Sequence, residues 1–189
     1  MDNHKFLKTY FHSLPKLLFS QKDIILLLVQ IKNILLSIKK KNKKIIIIGN
    51  GGSASIASHF SVDITKNAKI RCINFNESSL ITAFANDYGF ENSFSNAINF
   101  YGDKGDVLIA ISSSGKSKNI INACKIAKKK NFYKIISLSG FPETSVIKKF
   151  SNINLMVDSK SYNFIENIHQ IWLLAVVDLI IGKTEYKVN

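Results

Sequence analysis

Ile45-Ile46-Ile47-Ile48-Gly49-Asn50-Gly51-Gly52-Ser53-Ala54-Ser55 runs four β-branched residues into a glycine-rich turn that carries serines. A strand buried on both faces reads as such an apolar run, and glycines after it let the backbone approach a ligand without Cβ interference. A helical pattern follows, so free N–H groups and the positive end of a helix dipole face whatever occupies the turn. A phosphate is the ligand that suits such a turn.

A second loop repeats the design. Asp106-Val107-Leu108-Ile109-Ala110-Ile111 is another apolar strand, ending in Ser112-Ser113-Ser114-Gly115-Lys116-Ser117 before a helical stretch over 119–130. Hydroxyls of Ser112, Ser114 and Ser117 can donate to phosphate oxygens beside backbone N–H groups of the turn. Alone, Gly49-Asn50-Gly51-Gly52-Ser53-Ala54 also satisfies the Gly-x-Gly-x-x-Gly/Ala dinucleotide pattern. The serine loop lowers that rival, because a dinucleotide site does not need one there. Gly115-Lys116-Ser117 looks like the end of a Walker P-loop, but the opening glycine of that motif is Ala110 here.

The two loops, with His59 and Ile81-Thr82-Ala83-Phe84-Ala85-Asn86-Asp87 in order between them, resemble the sugar isomerase (SIS) domain family, in its phosphoheptose isomerase branch. The match runs from about residue 20 to about residue 181. The resemblance implies a three-layer α/β sandwich with a five-stranded parallel sheet preceded by N-terminal helices. It also implies a homotetramer and the isomerisation of sedoheptulose 7-phosphate to D-glycero-D-manno-heptose 7-phosphate, a step toward lipopolysaccharide or capsule heptose. Carried over residue by residue, Asn50, Gly51, Gly52, Ser53, Asn86, Asp87, Ser112, Ser113, Ser114 and Ser117 bind substrate. Asp63 and Glu166 are catalytic, and His59, Asp63 and Glu166 form a possible zinc site.

The chain departs from the family at that last site. Family members with zinc carry His and Glu on the first helix, then Gln and, eight residues on, His on the last helix. Here stand His59, Asp63, Glu166 and Leu174. Asp keeps the carboxylate with a shorter reach, whereas Leu neither binds zinc nor transfers a proton. Around a helix, Leu174 lies about 80° from Glu166 and His169 about 60° to the other side, so His169 is a poor substitute. Gln170 is nearer the vacant place but is no base. Spacing alone leaves two readings of the i,i+4 pair His59 and Asp63, a metal or acid–base site and a local hydrogen bond on a helix surface. Two functions therefore stand: an aldose/ketose isomerase with Asp63 or Glu166 as base, and a silent sugar-phosphate binder or tetrameric adaptor of the DnaA-binding initiator-associating type. A metal-free or weakly metal-binding site is expected; without metal the reaction rests on a carboxylate whose pKa is raised by its carboxylate neighbour.

The rest of the chain fits one domain over 1–189, with helices over 1–42 used in assembly and an α/β core over 43–182. A chain of 189 residues with 46% hydrophobic content buries a sizeable core. Phe6, Leu7, Tyr10, Phe11 and Leu14 repeat at helical steps, Pro15 interrupts, and Ile24, Leu27, Leu28, Ile31, Leu35 and Ile38 resume the pattern. Strands are expected over 44–48, 70–75, 107–111, 134–138 and 153–157, mostly separated by helices as βαβ units require. Trp172 is expected to pack in the core. Apolar runs such as 173–181 are short for a bilayer span, and Met1-Asp2-Asn3-His4-Lys5 lacks a signal-peptide apolar region, so a cytoplasmic protein without membrane contact is expected. Cys72 and Cys124 have no Cys-x-x-Cys spacing and suit inert, reduced thiols.

The net charge of +13 does not by itself imply nucleic acid. Arg71 is the only arginine. Specific readers lean on arginine for bidentate contacts. The lysine runs at 39–44 and 128–130 fall where helices end and complement the helix dipole.

Overall fold

The computed structural model describes residues 2–185. Five strands form one parallel sheet: β1 (Ile45–Ile48), β2 (Cys72–Asn74), β3 (Val107–Ile111), β4 (Lys134–Ser139) and β5 (Ile153–Met156), in the order β2-β1-β3-β4-β5. Among the described residues seven α-helices accompany them: α1 (Asn3–Leu18), α2 (Ile24–Lys40), α3 (Gly52–Lys66), α4 (Ser78–Tyr88), α5 (Ser93–Tyr101), α6 (Lys118–Lys129) and α7 (Tyr162–Ile181). The isoleucine run of β1 is buried throughout, and alternate residues serve opposite faces. Ile45 and Ile47 join a core built with α2, α3 and α7, while Ile46 and Ile48 join one built with α5 and α6. The result is the three-layer α/β sandwich expected from the resemblance.

Two outcomes at the N-terminus bear on function. Pro15 does not interrupt α1, which runs through it to Leu18. Proline removes the bond its own N–H would have made to the Phe11 carbonyl four residues back and its ring crowds that carbonyl, but Pro15 stands in the last turn of α1, where little helix remains to be broken. The break comes instead at 19–23, where Asp23 adopts a φ of 62°. None of the residues of α1 is buried, and Phe6, Leu7, Phe11, Ile25, Leu26 and Val29 are exposed. Tyr10 stacks near Phe164 of α7, with ring centroids 4.4 Å apart.

Helix α7 is long and apolar enough to cross a membrane, but it is a core helix. Ile165, Ile168, Trp172, Leu173, Val176 and Val177 are buried against the sheet and α2 and α3. Trp172 packs in that core, its Nε1 donating to the Leu18 carbonyl at 3.2 Å.

Candidate functional site

In an open parallel sheet, ligands bind beyond the carboxyl ends of the strands where the winding reverses. Here that point lies between β1 and β3, which are hydrogen-bonded neighbours with Ile48 opposite Ala110. The loops that leave these two strands are the glycine turn at 49–53 and the serine turn at 112–117. The fold therefore brings together the two segments that the sequence marks as phosphate loops.

The loops are joined directly. The amides of Asn50 and Asn119 bond reciprocally, at 3.0 and 2.9 Å, and Ser53 Oγ lies 3.4 Å from Ser113 Oγ. Ser112 Oγ donates to Ser117 Oγ at 3.0 Å. Ser117 stands at the N-cap of α6, yet its side chain caps no helix N–H. A hydroxyl used only as a cap would accept such a bond. The Lys116 N–H donates to Ser114 Oγ at 3.3 Å. Gly115 needs to be glycine on two counts: its φ is +66°, and a Cβ would lie 2.0 Å from Ser145 Oγ. The Gly115 carbonyl in turn accepts the N–H groups of Val146 and Ile147. Asn50, Ser53, Ser112, Ser113, Ser114, Ser117, Tyr162 and Glu166 line a cavity of about 110 Å³ at this junction.

Glu166 extends that cavity into a second one. Gly52, Ser55, Ile56, Asn163, Glu166, Asn167 and Gln170 line a groove of about 230 Å³ along the seam of α3 and α7. The carboxylate lies over Gly52, where an added Cβ would meet Glu166 Oε2 at 2.2 Å. Burial holds the Glu166 pKa above the usual carboxylate range. A larger cavity of about 500 Å³ lies beside the edge strand, lined by Ile73, Phe75, Leu80, Phe84 and Tyr101 with Asn74 and Glu77. Its mainly apolar wall lacks the converging hydroxyls of the serine junction, which suits the smaller site better to a phosphorylated ligand.

Asn50, Gly52, Ser53, Ser112, Ser113, Ser114, Ser117 and Glu166 thus line these two adjoining cavities, and Gly51 lies in the turn between them. Asn86 and Asp87 do not join them. Both are exposed near the end of α4, with the Asn86 amide donating to the Asp87 carboxylate at 2.9 Å, and α4 packs on α5. His59 and Asp63 do meet, with Nε2 3.3 Å from Oδ2. Glu166 stands apart from them, because Gly52 and Asp63 are eleven residues apart, about 16 Å along a helix. The raised pKa of Glu166 therefore comes from desolvation and not, as expected from the sequence, from a carboxylate neighbour. His169 is fully buried, its Nε2 donating to the Ser139 carbonyl at 3.2 Å, and burial pushes its pKa down to about 4.

Among the described residues of one chain the donors do not assemble a zinc site: no three His, Cys, Asp or Glu side chains converge on one point. Glu166 is too far along the seam to complete the pair at His59 and Asp63, and Leu174 supplies no donor. Cys72 and Cys124 are free thiols held protonated by burial, which pushes the Cys72 pKa well up and that of Cys124 up to about 12.

Three contributors were not assigned roles in the sequence: Asn119, which ties the two loops; Tyr162, which walls the serine cavity; and Ser145, which packs on Gly115. Sequence periodicity could place Asn119 in the first turn of a helix. It could not pair it with a residue 69 positions away.

A sheet of this order with a serine-lined cavity at its switch point is the arrangement of a ligand-binding α/β protein, and the chain belongs to the SIS domain family, whose model matches residues 10–140. Its relatives include the phosphoheptose isomerase of Buchnera aphidicola subsp. Acyrthosiphon pisum, 36% identical over 97% of this chain and 92% of the relative. Another is that of Helicobacter pylori strain P12, 36% identical over 82% of each. Among solved structures, the phosphoheptose isomerase GmhA of Neisseria gonorrhoeae superposes with a TM-score of 0.88 at 29% identity, over 95% of this chain and 98% of that one. The Francisella tularensis phosphoheptose isomerase superposes at 0.86 with 25% identity, over 97% and 100%.

Proposed function

We propose that this chain is a phosphoheptose isomerase that interconverts sedoheptulose 7-phosphate and D-glycero-D-manno-heptose 7-phosphate through an enediol. The observation that carries the reading is the placement of Glu166 on the wall shared by the serine cavity and the seam groove. Backbone N–H groups and the hydroxyls of Ser53, Ser112, Ser114 and Ser117 hold the phosphate, and the sugar chain lies in the groove. Glu166 takes the proton from C1 of the ketose and returns it to C2, while the O1 hydroxyl proton passes to O2 across the enediol, so that C1 becomes the aldehyde and the C2 carbonyl a hydroxyl. A carboxylate whose pKa is raised by burial is a stronger base than a solvated one when ionised.

A reaction that is metal-free or only weakly metal-dependent is the reading favoured, supported by Leu174 standing where the family's second His ligand would be and by the lack of a cluster of three donors among the described residues of one chain. The finding expected is turnover that survives chelation in protein free of stoichiometric metal. The uncovered apolar residues of α1 and α2 support a homotetramer assembled through them, and Asn86 and Asp87 would then reach substrate only from a neighbouring subunit. A cytoplasmic setting and a role in supplying heptose for surface polysaccharide complete the reading.

The test is incubation of the pure protein with sedoheptulose 7-phosphate, with products followed by NMR. Appearance of the aldose phosphate supports the isomerase. Binding without conversion would place the chain with the silent binders and adaptors, the role that Leu174 alone favours.

A further inference from the structure

One wall of the serine cavity is an aromatic side chain. Tyr162 opens α7 one turn before Glu166, so the two share a face of that helix, and both line the cavity with the serines. None of the lining residues is a cation. A phosphate dianion there, beside the Glu166 carboxylate, is met by neutral donors alone. Tyr162 carries such a donor, and no group among the described residues hydrogen-bonds its hydroxyl.

The ring is held from the loop that follows β4. Tyr162 is half-exposed, and Phe141 packs against it, with ring centroids 5.3 Å apart at an interplanar angle of 57°. Phe141 has a φ of 50°, in the left-handed region that a bulky residue rarely takes. Three backbone bonds hold it there. Its N–H donates to the Ser159 carbonyl at 2.9 Å, and its carbonyl accepts the N–H groups of Thr144 and Ser145 at 2.9 and 3.0 Å. Gly140 lets the loop close on α7, since a Cβ there would collide with Ile165 Cδ1. An unfavourable conformation fixed at this many points gives the Phe141 ring a task at the site.

We infer that Tyr162 is a substrate-binding residue whose hydroxyl donates to the phosphate in the serine cavity, and that Phe141 is the positioning residue that holds its ring there. The inference deepens the functional reading above and rests on it for the ligand. The phosphate then takes donors from the loops after β1 and β3 and from the start of α7. Tyr162 and Glu166 stand about 6 Å apart along one helix, so the bond also sets the phosphate end of the sugar at a fixed distance from the base.

Calorimetric titration of the full-length protein with sedoheptulose 7-phosphate and, separately, with inorganic phosphate tests the contact. Tyr162→Phe keeps the ring and should weaken both ligands by about tenfold or more, the loss that follows from deleting a hydrogen bond to a charged group. In turnover the same variant should raise KM by a similar factor and leave kcat within about twofold, because the bond is made alike in the ground and transition states. Phe141→Leu keeps apolar bulk and should weaken both ligands by about threefold, but not at all in a Tyr162→Phe background, since it acts only through that hydroxyl. Unchanged binding in Tyr162→Phe, a loss confined to the sugar phosphate, or a further loss from Phe141→Leu in the Tyr162→Phe background would each overturn the inference. Wild type that binds sedoheptulose 7-phosphate and shows these losses without converting it would refute the isomerase reading and leave the phosphate contact standing. Wild type that binds neither ligand would overturn both.

Discussion

Gly52→Ala isolates the placement of Glu166 from the stability of the fold. Gly52 opens α3 and is absent from the residues with positive φ, so its backbone suits an L-residue. Alanine in a helix is favoured over glycine by up to about 1 kcal/mol, and the variant should melt at or slightly above the wild-type temperature. The added Cβ would lie 2.2 Å from Glu166 Oε2, where ordinary contact begins at 3.4 Å. The carboxylate must therefore retreat by about 1.2 Å, the difference of those distances. It is the far end of a flexible side chain, so it can move at little cost to the fold. A misplacement near 1 Å costs a reaction about 100-fold, or about 2.7 kcal/mol of transition-state stabilisation. Kinetics with sedoheptulose 7-phosphate, beside a thermal melt, should show kcat reduced by about that factor at unchanged melting temperature. In a Glu166→Gln background the same change should cost little more, because the two substitutions act on one group. Wild-type kcat in Gly52→Ala would refute the reasoning that the Glu166 carboxylate acts where it lies.

Three other outcomes are expected. Ser114→Ala should weaken sugar-phosphate binding by about 1.5–3 kcal/mol, the worth of a hydrogen bond to a charged group, while leaving unphosphorylated sugar unaffected in calorimetric titrations. His169 binds its proton at about pH 4 in the fold and near 6.5 when unfolded, so the unfolded state takes up more protons between those values. Stability should fall as pH drops from 6.5 to 4, by about 3 kcal/mol at 1.36 per pKa unit, read by urea unfolding of Trp172 fluorescence at fixed protein concentration. His169→Asn should flatten that slope. Removing residues 1–40 exposes the partners of α2 and should give monomeric or insoluble protein by light scattering; a soluble tetrameric truncation would contradict assembly through these helices.

The fold was legible where one local cause dominated. The isoleucines of β1 read as a doubly buried strand because burial on both faces leaves no place for a polar residue, and the glycine and serine turns read as anion loops because they follow such strands. Pro15 misled because proline is a strong breaker in general, while its actual cost depends on where in the helix it stands. The site was harder where contacts span long stretches of chain. The Asn50–Asn119 pair, the approach of Glu166 to Gly52 and the bond from Gln170 to His59 depend on how two helices dock. Spacing paired His59 with Asp63 correctly because both lie on one helix. It could not show that Glu166 docks three turns away from Asp63, and so the expected cause of the raised Glu166 pKa failed.

The most direct test of the central claim compares wild type with Glu166→Gln on sedoheptulose 7-phosphate, with conversion followed by NMR and binding by calorimetry. Glu166→Gln is expected to bind the sugar phosphate as wild type does and to convert none of it at a measurable rate. Wild-type turnover in Glu166→Gln would remove the proposed base from the reaction and contradict the account.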